Sequence, residues 1–90
     1  HEGHEYNIKE FQIKSNNPLI GMPYEKAFFD LKKQSNVILF GLVRTENGKR
    51  TLHKNPESEM TIGEGDYLIM LMNHSGYARL QKLFRIEEGV

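Results

Sequence analysis

Residues 36–72 read NVILFGLVRTENGKRTLHKNPESEMTIGEGDYLIMLM, and this stretch decides the fold because turn residues divide it into three short segments of strand character. The first segment, residues 37–43, is an almost unbroken apolar run that is too short for a typical globular helix. Its Val, Ile and Phe content predicts a strand covered on both faces. Gly41 interrupts the run and predicts a bulge or a close backbone approach.

A tight hairpin is predicted to follow this strand. Asn47 and Gly48 accept the positive φ angles that a two-residue hairpin turn requires, so residues 49–54 form the returning strand. A second turn, GEGD at residues 63–66, leads into residues 67–72, which are again nearly all apolar. The segment as a whole therefore predicts a small sheet built around one hairpin.

Three further elements flank the hairpin. Residues 8–14 alternate in polarity and predict a half-buried strand whose Phe11 and Ile13 face the core. Ser75 is the predicted N-cap of a final helix. Pro23 is suited to the first turn of an earlier helix, whose buried face is expected to carry Tyr24, Ala27, Phe28 and Leu31.

The composition of the chain argues against several classes of function. The 90 residues make one domain with a modest core, and the absence of cysteine excludes disulfides and thiolate chemistry. Twelve basic and twelve acidic side chains cancel, and this lack of a basic surface predicts that nucleic acid is not a partner. No apolar run reaches the roughly 20 residues of a membrane-spanning helix, so no direct membrane insertion is expected. The charged N-terminus does not resemble a signal peptide.

The order of these features resembles the C-terminal lobe of an RCK (regulator of potassium conductance) domain, also called a TrkA C-terminal domain. The resemblance runs from about residue 9 to residue 84. It implies an α+β fold in which a small sheet, a hairpin plus flanking strands, packs with two helices. It is carried by PLIG at residues 18–21 before a short helix, an apolar strand ending on Arg44, the hairpin, Asn55 and Pro56, Gly65 and Asp66 before the last strand, and a closing helix.

This resemblance sets the expected domain limits and function. Residues 1–7 are predicted to be a flexible N-terminal segment, residues 8–86 the domain and residues 87–90 a tail. The family implies a cytoplasmic regulatory, dimerising and ligand-sensing lobe that controls gating of a potassium channel or potassium uptake system. The alternative is the same role in an antiporter, a carboxylate transporter or a transcription regulator. The chain is then a soluble domain of a membrane-associated protein.

Implied partners are a second copy of the chain, the N-terminal RCK lobe and the membrane pore of the parent protein. A homodimer is also expected from surplus apolar residues that a small monomer would cover poorly. These residues are Phe29, Met60, Met70 and Met72.

No cofactor is certain, but the resemblance implies a small anionic ligand or a cyclic dinucleotide in the cleft between two copies. The family positions that contact such a ligand match Lys32, Ile38 and Pro56, where lysine replaces a common arginine and isoleucine a common asparagine. Asn36 and Arg44 complete the predicted site because they are polar residues at the two ends of the first core strand. The alternative for Arg44 is a structural ion pair with Glu46 or Glu64.

Neither catalysis nor metal binding is predicted. His53 and His74 have no serine or carboxylate motif around them, so the chain is not expected to be an enzyme. HEGHE at residues 1–5 lacks the HExxH spacing of zinc proteases. Four carboxylates are expected to be solvated, with a cation site as the alternative: Glu57, Glu59, Glu64 and Asp66.

Overall fold

The fold comes from a computed structural model that describes residues 5–86. Residues 1–4 and 87–90 lie outside the described part, so the predictions for the HEGHE histidines and the tail fall there. The described elements follow the predicted α+β order, and their bounds are β1 Asn7–Gln12, α1 Tyr24–Ser35, β2 Ile38–Glu46, β3 Lys49–Lys54, β4 Tyr67–Met72 and α2 His74–Phe84.

The four strands form one antiparallel sheet in the order β1-β4-β2-β3. Phe11 of β1 and Leu42 of β2 both lie opposite Leu68 of the central strand β4, and all three are fully buried. Both helices pack on this core face. The buried set that they cover includes Phe11, Ala27, Leu31, Leu39, Leu42, Leu68, Met70, Met72, Leu80 and Phe84.

The opposite face of the sheet carries no helix within residues 5–86. Ile8 is 66% exposed there, and the β4 residues Ile69 and Leu71 are only half-buried. The prediction that the apolar run of β2 is covered on both faces is therefore wrong. The apolar composition of a strand does not show whether both of its faces are covered or only one.

The hairpin is confirmed. Glu46 pairs with Lys49, and the two turn residues have positive φ angles, 52° at Asn47 and 78° at Gly48, as a type I′ turn requires. The predicted irregularity near Gly41 is also present. The β2–β4 register shifts between Leu39 and Gly41, so Phe40 is the extra residue of a bulge.

Two local predictions are corrected. The N-cap of α2 is Asn73 rather than Ser75, because the Asn73 side chain accepts a hydrogen bond of 2.9 Å from the Gly76 backbone N–H. Among the apolar residues expected to be surplus, Met70 and Met72 are buried in the core, whereas Phe29 is 60% exposed.

Candidate functional site

The C-terminal end of α1 brings together two residues of the predicted site. Asn36 caps the helix in the left-handed conformation, with φ of 56°, which asparagine adopts more readily than most residues. The Lys32 Nζ donates to the Asn36 Oδ1 at 2.7 Å. The Asn36 Nδ2 lies 3.3 Å from the Tyr6 hydroxyl oxygen. A lysine, an amide and a phenol therefore form one exposed polar group, which we call the α1-end cluster.

Pro56 lies in an open pocket of about 550 Å³ beside the same helix. Phe28 and Phe29 form part of its wall and stand edge to face, with ring centroids 5.6 Å apart. Phe29 precedes Lys32 by one helical turn, so the pocket and the α1-end cluster are neighbours along α1. The pocket lining comprises Tyr24, Glu25, Phe28, Phe29, Asn55, Pro56, Glu57 and Ser58.

The pocket wall is held by backbone and side-chain hydrogen bonds. The Glu25 N–H donates to the Ser58 carbonyl at 3.0 Å, which joins the start of α1 to the turn that follows Pro56. The Tyr24 hydroxyl donates to the Leu39 carbonyl at 2.7 Å and ties α1 to β2. Burial raises the pKa of Tyr24 above its usual value, because the phenolate would lose hydration. The pocket wall is thus held in place by hydrogen bonds between α1, β2 and the loop after β3.

A strand edge lies next to the pocket. The pairing of β3 with β2 stops at Lys54 opposite Gly41, and the Asn55 N–H donates a last hydrogen bond of 2.8 Å to the Phe40 carbonyl. Ile38, also in the predicted site, lies before this point and faces no strand on the β3 side within residues 5–86. An unpaired strand edge favours association with another strand. Among residues 5–86, Ile38 therefore has no pairing strand on the β3 side, whereas the carbonyls of Leu39 and Phe40 already accept hydrogen bonds from Tyr24 and Asn55.

Arg44 lies apart from the other predicted site residues. Six residues of extended chain separate it from Ile38, a span of about 20 Å. Its Nε and Nη2 donate to the two Asp66 carboxylate oxygens at 2.9 and 2.7 Å. The hydrogen bond to Asp66 raises the pKa of Arg44 despite the opposing effect of burial. Its ion-pair partner is Asp66 and not Glu46 or Glu64, and its ligand role stays a prediction.

The remaining polar candidates do not form a second site. His53 lies 3.2 Å from the Glu46 carboxylate across the hairpin. In the described part of the chain, no group of three His, Asp or Glu side chains is arranged to hold a metal ion. No helix in residues 5–86 is long and apolar enough to cross a membrane. The absence of enzymatic activity stays a prediction.

Sequence reasoning missed three features of this region. Phe40 is 37% exposed, Tyr6 joins the α1-end cluster, and no strand of the described chain pairs with Ile38 on the β3 side. The sequence held a signal for the open edge, because the hairpin turn and Pro56 limit β3 to a shorter length than β2. It held none for Tyr6, whose contact with Asn36 spans 30 residues.

Comparison with known proteins gives a fold. The sequence matches no protein-family model and no curated protein. Among solved structures, the RCK_C domain dimer of S. agalactiae BusR in complex with c-di-AMP is similar with a TM-score of 0.64 and 17% identity, covering 87% of this chain and 95% of that one. S. agalactiae BusR in complex with its busAB-promotor DNA is similar with a TM-score of 0.66 and 17% identity. That match covers 92% of this chain and 38% of that one.

The promoter complex corrects one expectation. We predicted a lobe without a nucleic-acid partner, and this is wrong for proteins that contain the fold, because BusR is bound to its promoter DNA. The prediction failed because the balanced charge of 90 residues describes only those residues. The chain spans 38% of the BusR chain in that complex, and its charge cannot speak for the remainder.

The fold expected from the order of the sequence motifs is confirmed. The hairpin, the flanking strands and the two helices occur in the predicted order, and the matched BusR domain is covered almost completely. The described part of the chain therefore has the fold of an RCK C-terminal domain.

Proposed function

We propose that this chain is the dimerising, ligand-sensing lobe of a regulatory protein and binds a small anionic ligand, such as a cyclic dinucleotide, between two copies. The observation that carries the proposal is a surface along α1, which we call the α1 surface. It consists of the α1-end cluster and, one helical turn away, Phe29 with the rest of the Pro56 pocket. It combines an exposed aromatic ring with a cation.

The dimer is supported by exposed aromatic side chains. Phe29 on α1 is 60% exposed, and Phe40 at the bulge of β2 is 37% exposed. Burying an aromatic side chain contributes about 1.5–3 kcal/mol. A copy related by a two-fold axis covers the same residues on both subunits. The RCK_C domain of BusR is itself described as a dimer.

The charge pattern orients the ligand. The Pro56 pocket contains the carboxylates of Glu25 and Glu57 and no lysine or arginine, so it does not suit a phosphate group. Lys32 provides the cation one turn further along α1. We therefore place an aromatic base against Phe29 and Pro56, where stacking contributes about 1–3 kcal/mol, and the phosphate at Lys32. The cyclic dinucleotide bound by the BusR domain has both chemical parts.

The regulated protein is the wider part of the proposal. A ligand at the dimer cleft controls an attached unit only if it binds two arrangements of the dimer with different affinity. We propose that the attached unit is a potassium channel or uptake system, with a transporter or a transcription regulator as the second candidate. The BusR–promoter complex favours the regulator among the second candidates. The coding sequence upstream of residue 1 separates these classes: a pore motif, many membrane spans or a DNA-binding module.

Two experiments test the proposal. Sedimentation equilibrium at tens of micromolar is expected to give a dimer mass, and Phe29→Glu is expected to shift the protein towards monomer. A monomer mass for the parent chain would contradict the proposed dimer. Calorimetry with c-di-AMP is expected to show binding that weakens about 100- to 10,000-fold in Lys32→Ala, the loss of one charge-assisted hydrogen bond in each subunit. Lys49→Ala is the matched control, because it removes an exposed lysine from the hairpin at the far end of β2, and it keeps parental affinity. Equal binding in both variants would contradict the site.

A further inference from the structure

We propose that Tyr6 completes the anion site, so that the bound ligand holds the segment that leads into β1. This inference rests on the proposed function and adds a residue and a consequence to it. The contact that suggests it joins the Tyr6 hydroxyl to the Asn36 amide across 30 residues of chain. Tyr6 is 51% exposed, so its hydroxyl is accessible to a ligand.

In the α1-end cluster, Lys32 donates a hydrogen bond to Asn36, and Asn36 donates one to Tyr6. An ammonium group can only donate, so the Asn36 amide must present its Oδ1 to the Lys32 Nζ, 2.7 Å away. This choice fixes the amide orientation and turns Nδ2 towards the Tyr6 hydroxyl oxygen at 3.3 Å. The Tyr6 oxygen therefore accepts, and its own hydrogen is left to point elsewhere.

The result is a group that offers hydrogens to the outside. The Asn36 oxygen and the Tyr6 oxygen each accept from within the cluster, whereas Lys32, Asn36 and Tyr6 each keep at least one hydrogen without an acceptor among residues 5–86. One member is a cation. Several outward donors around one positive charge match the acceptor oxygens of a phosphate group. The cluster would bind an anion through three side chains rather than one.

The position of Tyr6 gives this contact a consequence. Tyr6 immediately precedes Asn7, the first residue of β1, and within residues 5–86 β1 is an edge strand whose one neighbour is β4. Any part of the protein that lies before this domain connects to it through Tyr6. A ligand that takes the Tyr6 hydroxyl as well as Lys32 joins that connection to α1. A bound ligand then restrains the residues that connect β1 to any preceding part of the protein.

The test compares c-di-AMP binding to the parent chain and to three variants by calorimetry. Tyr6→Phe is expected to weaken binding about 10- to 100-fold, the loss of one neutral hydrogen bond in each subunit. Tyr67→Phe is the matched control, because it removes a hydroxyl from the open sheet face, and it keeps parental affinity. Asn36→Gly retains a residue that favours positive φ but breaks the link to Tyr6. It is expected to weaken binding at least as much as Tyr6→Phe.

Hydrogen exchange adds a readout that a purely structural role of Tyr6 would not change. In the parent chain, c-di-AMP is expected to slow amide exchange in residues 5–8. In Tyr6→Phe, this ligand-dependent protection is lost while that of α1 remains. Binding that depends on Lys32 but is equal in the parent and Tyr6→Phe, without protection of residues 5–8, would overturn this inference alone. No binding of c-di-AMP to the parent chain would overturn it together with the ligand site of the proposed function.

Discussion

Replacing Asp66 by alanine is expected to destabilise the domain by about 2–4 kcal/mol, because its carboxylate fastens the last turn before β4. The carboxylate accepts hydrogen bonds from the Arg44 Nε at 2.9 Å, the Arg44 Nη2 at 2.7 Å and the Gly63 backbone N–H at 2.7 Å. The Asp66 side chain is only 4% exposed and that of Arg44 is 29% exposed. Asp66→Ala therefore leaves the Gly63 N–H without its acceptor and leaves a half-buried guanidinium with the Thr61 carbonyl, 2.7 Å from its Nη2, as its remaining acceptor.

The magnitude follows from this geometry. Removing one partner of a buried ion pair costs about 3–5 kcal/mol, since the other charge stays desolvated. Arg44 can regain some hydration because it is not fully buried, which lowers the expected loss by about 1 kcal/mol. Removing both partners, in Asp66→Ala with Arg44→Ala, leaves no stranded charge. The double variant is expected to lose less stability than the two single changes added together.

Urea denaturation at one fixed protein concentration measures this loss, because the stability of a dimer depends on concentration. Glu64→Ala is the matched control. It removes an exposed carboxylate from the same turn and is expected to change stability by less than about 0.5 kcal/mol. If Asp66→Ala unfolded at the same urea concentration as Glu64→Ala, or if the double variant showed additive losses, the role given to this ion pair would be refuted.

Two further predictions concern the hairpin and α1. Gly48→Val is expected to destabilise the domain by about 1–3 kcal/mol, because Gly48 has φ of 78°, which a β-branched residue adopts only under strain. An added Cβ would meet no atom within 4 Å, so the expected loss comes from the backbone conformation alone. Gly48→Asn, which tolerates positive φ, is expected to lose less, and equal losses in thermal denaturation would argue against the strain. Tyr24 has a raised pKa, so its stabilising effect is complete below the ordinary tyrosine value of 10.0 and declines as the pH rises towards the folded-state pKa. A pH series of urea midpoints is expected to fall less steeply above that value in Tyr24→Phe, and parallel curves would contradict this.

Local chemistry in the sequence determined the elements of this protein. The positive φ preference of Asn47 and Gly48 and the apolar run before them were sufficient to predict the hairpin and its turn. Alternating polarity identified the two buried side chains of the β1 region, Phe11 and Ile13. Such signals arise between residues that are close in the chain, and they survive without knowledge of the partners across the sheet.

The tertiary structure alone decided how these elements combine into a site. The choice of Asp66 as the partner of Arg44 depends on the strand register, which brings together residues 22 positions apart. The contact of Tyr6 with Asn36 and the open edge of β2 depend on where distant segments start and stop. The sequence determined which residues form strands, turns and helices, because those preferences are local. Only the packed fold determined which polar groups meet and which apolar faces stay open, because these are set by contacts between distant parts of the chain.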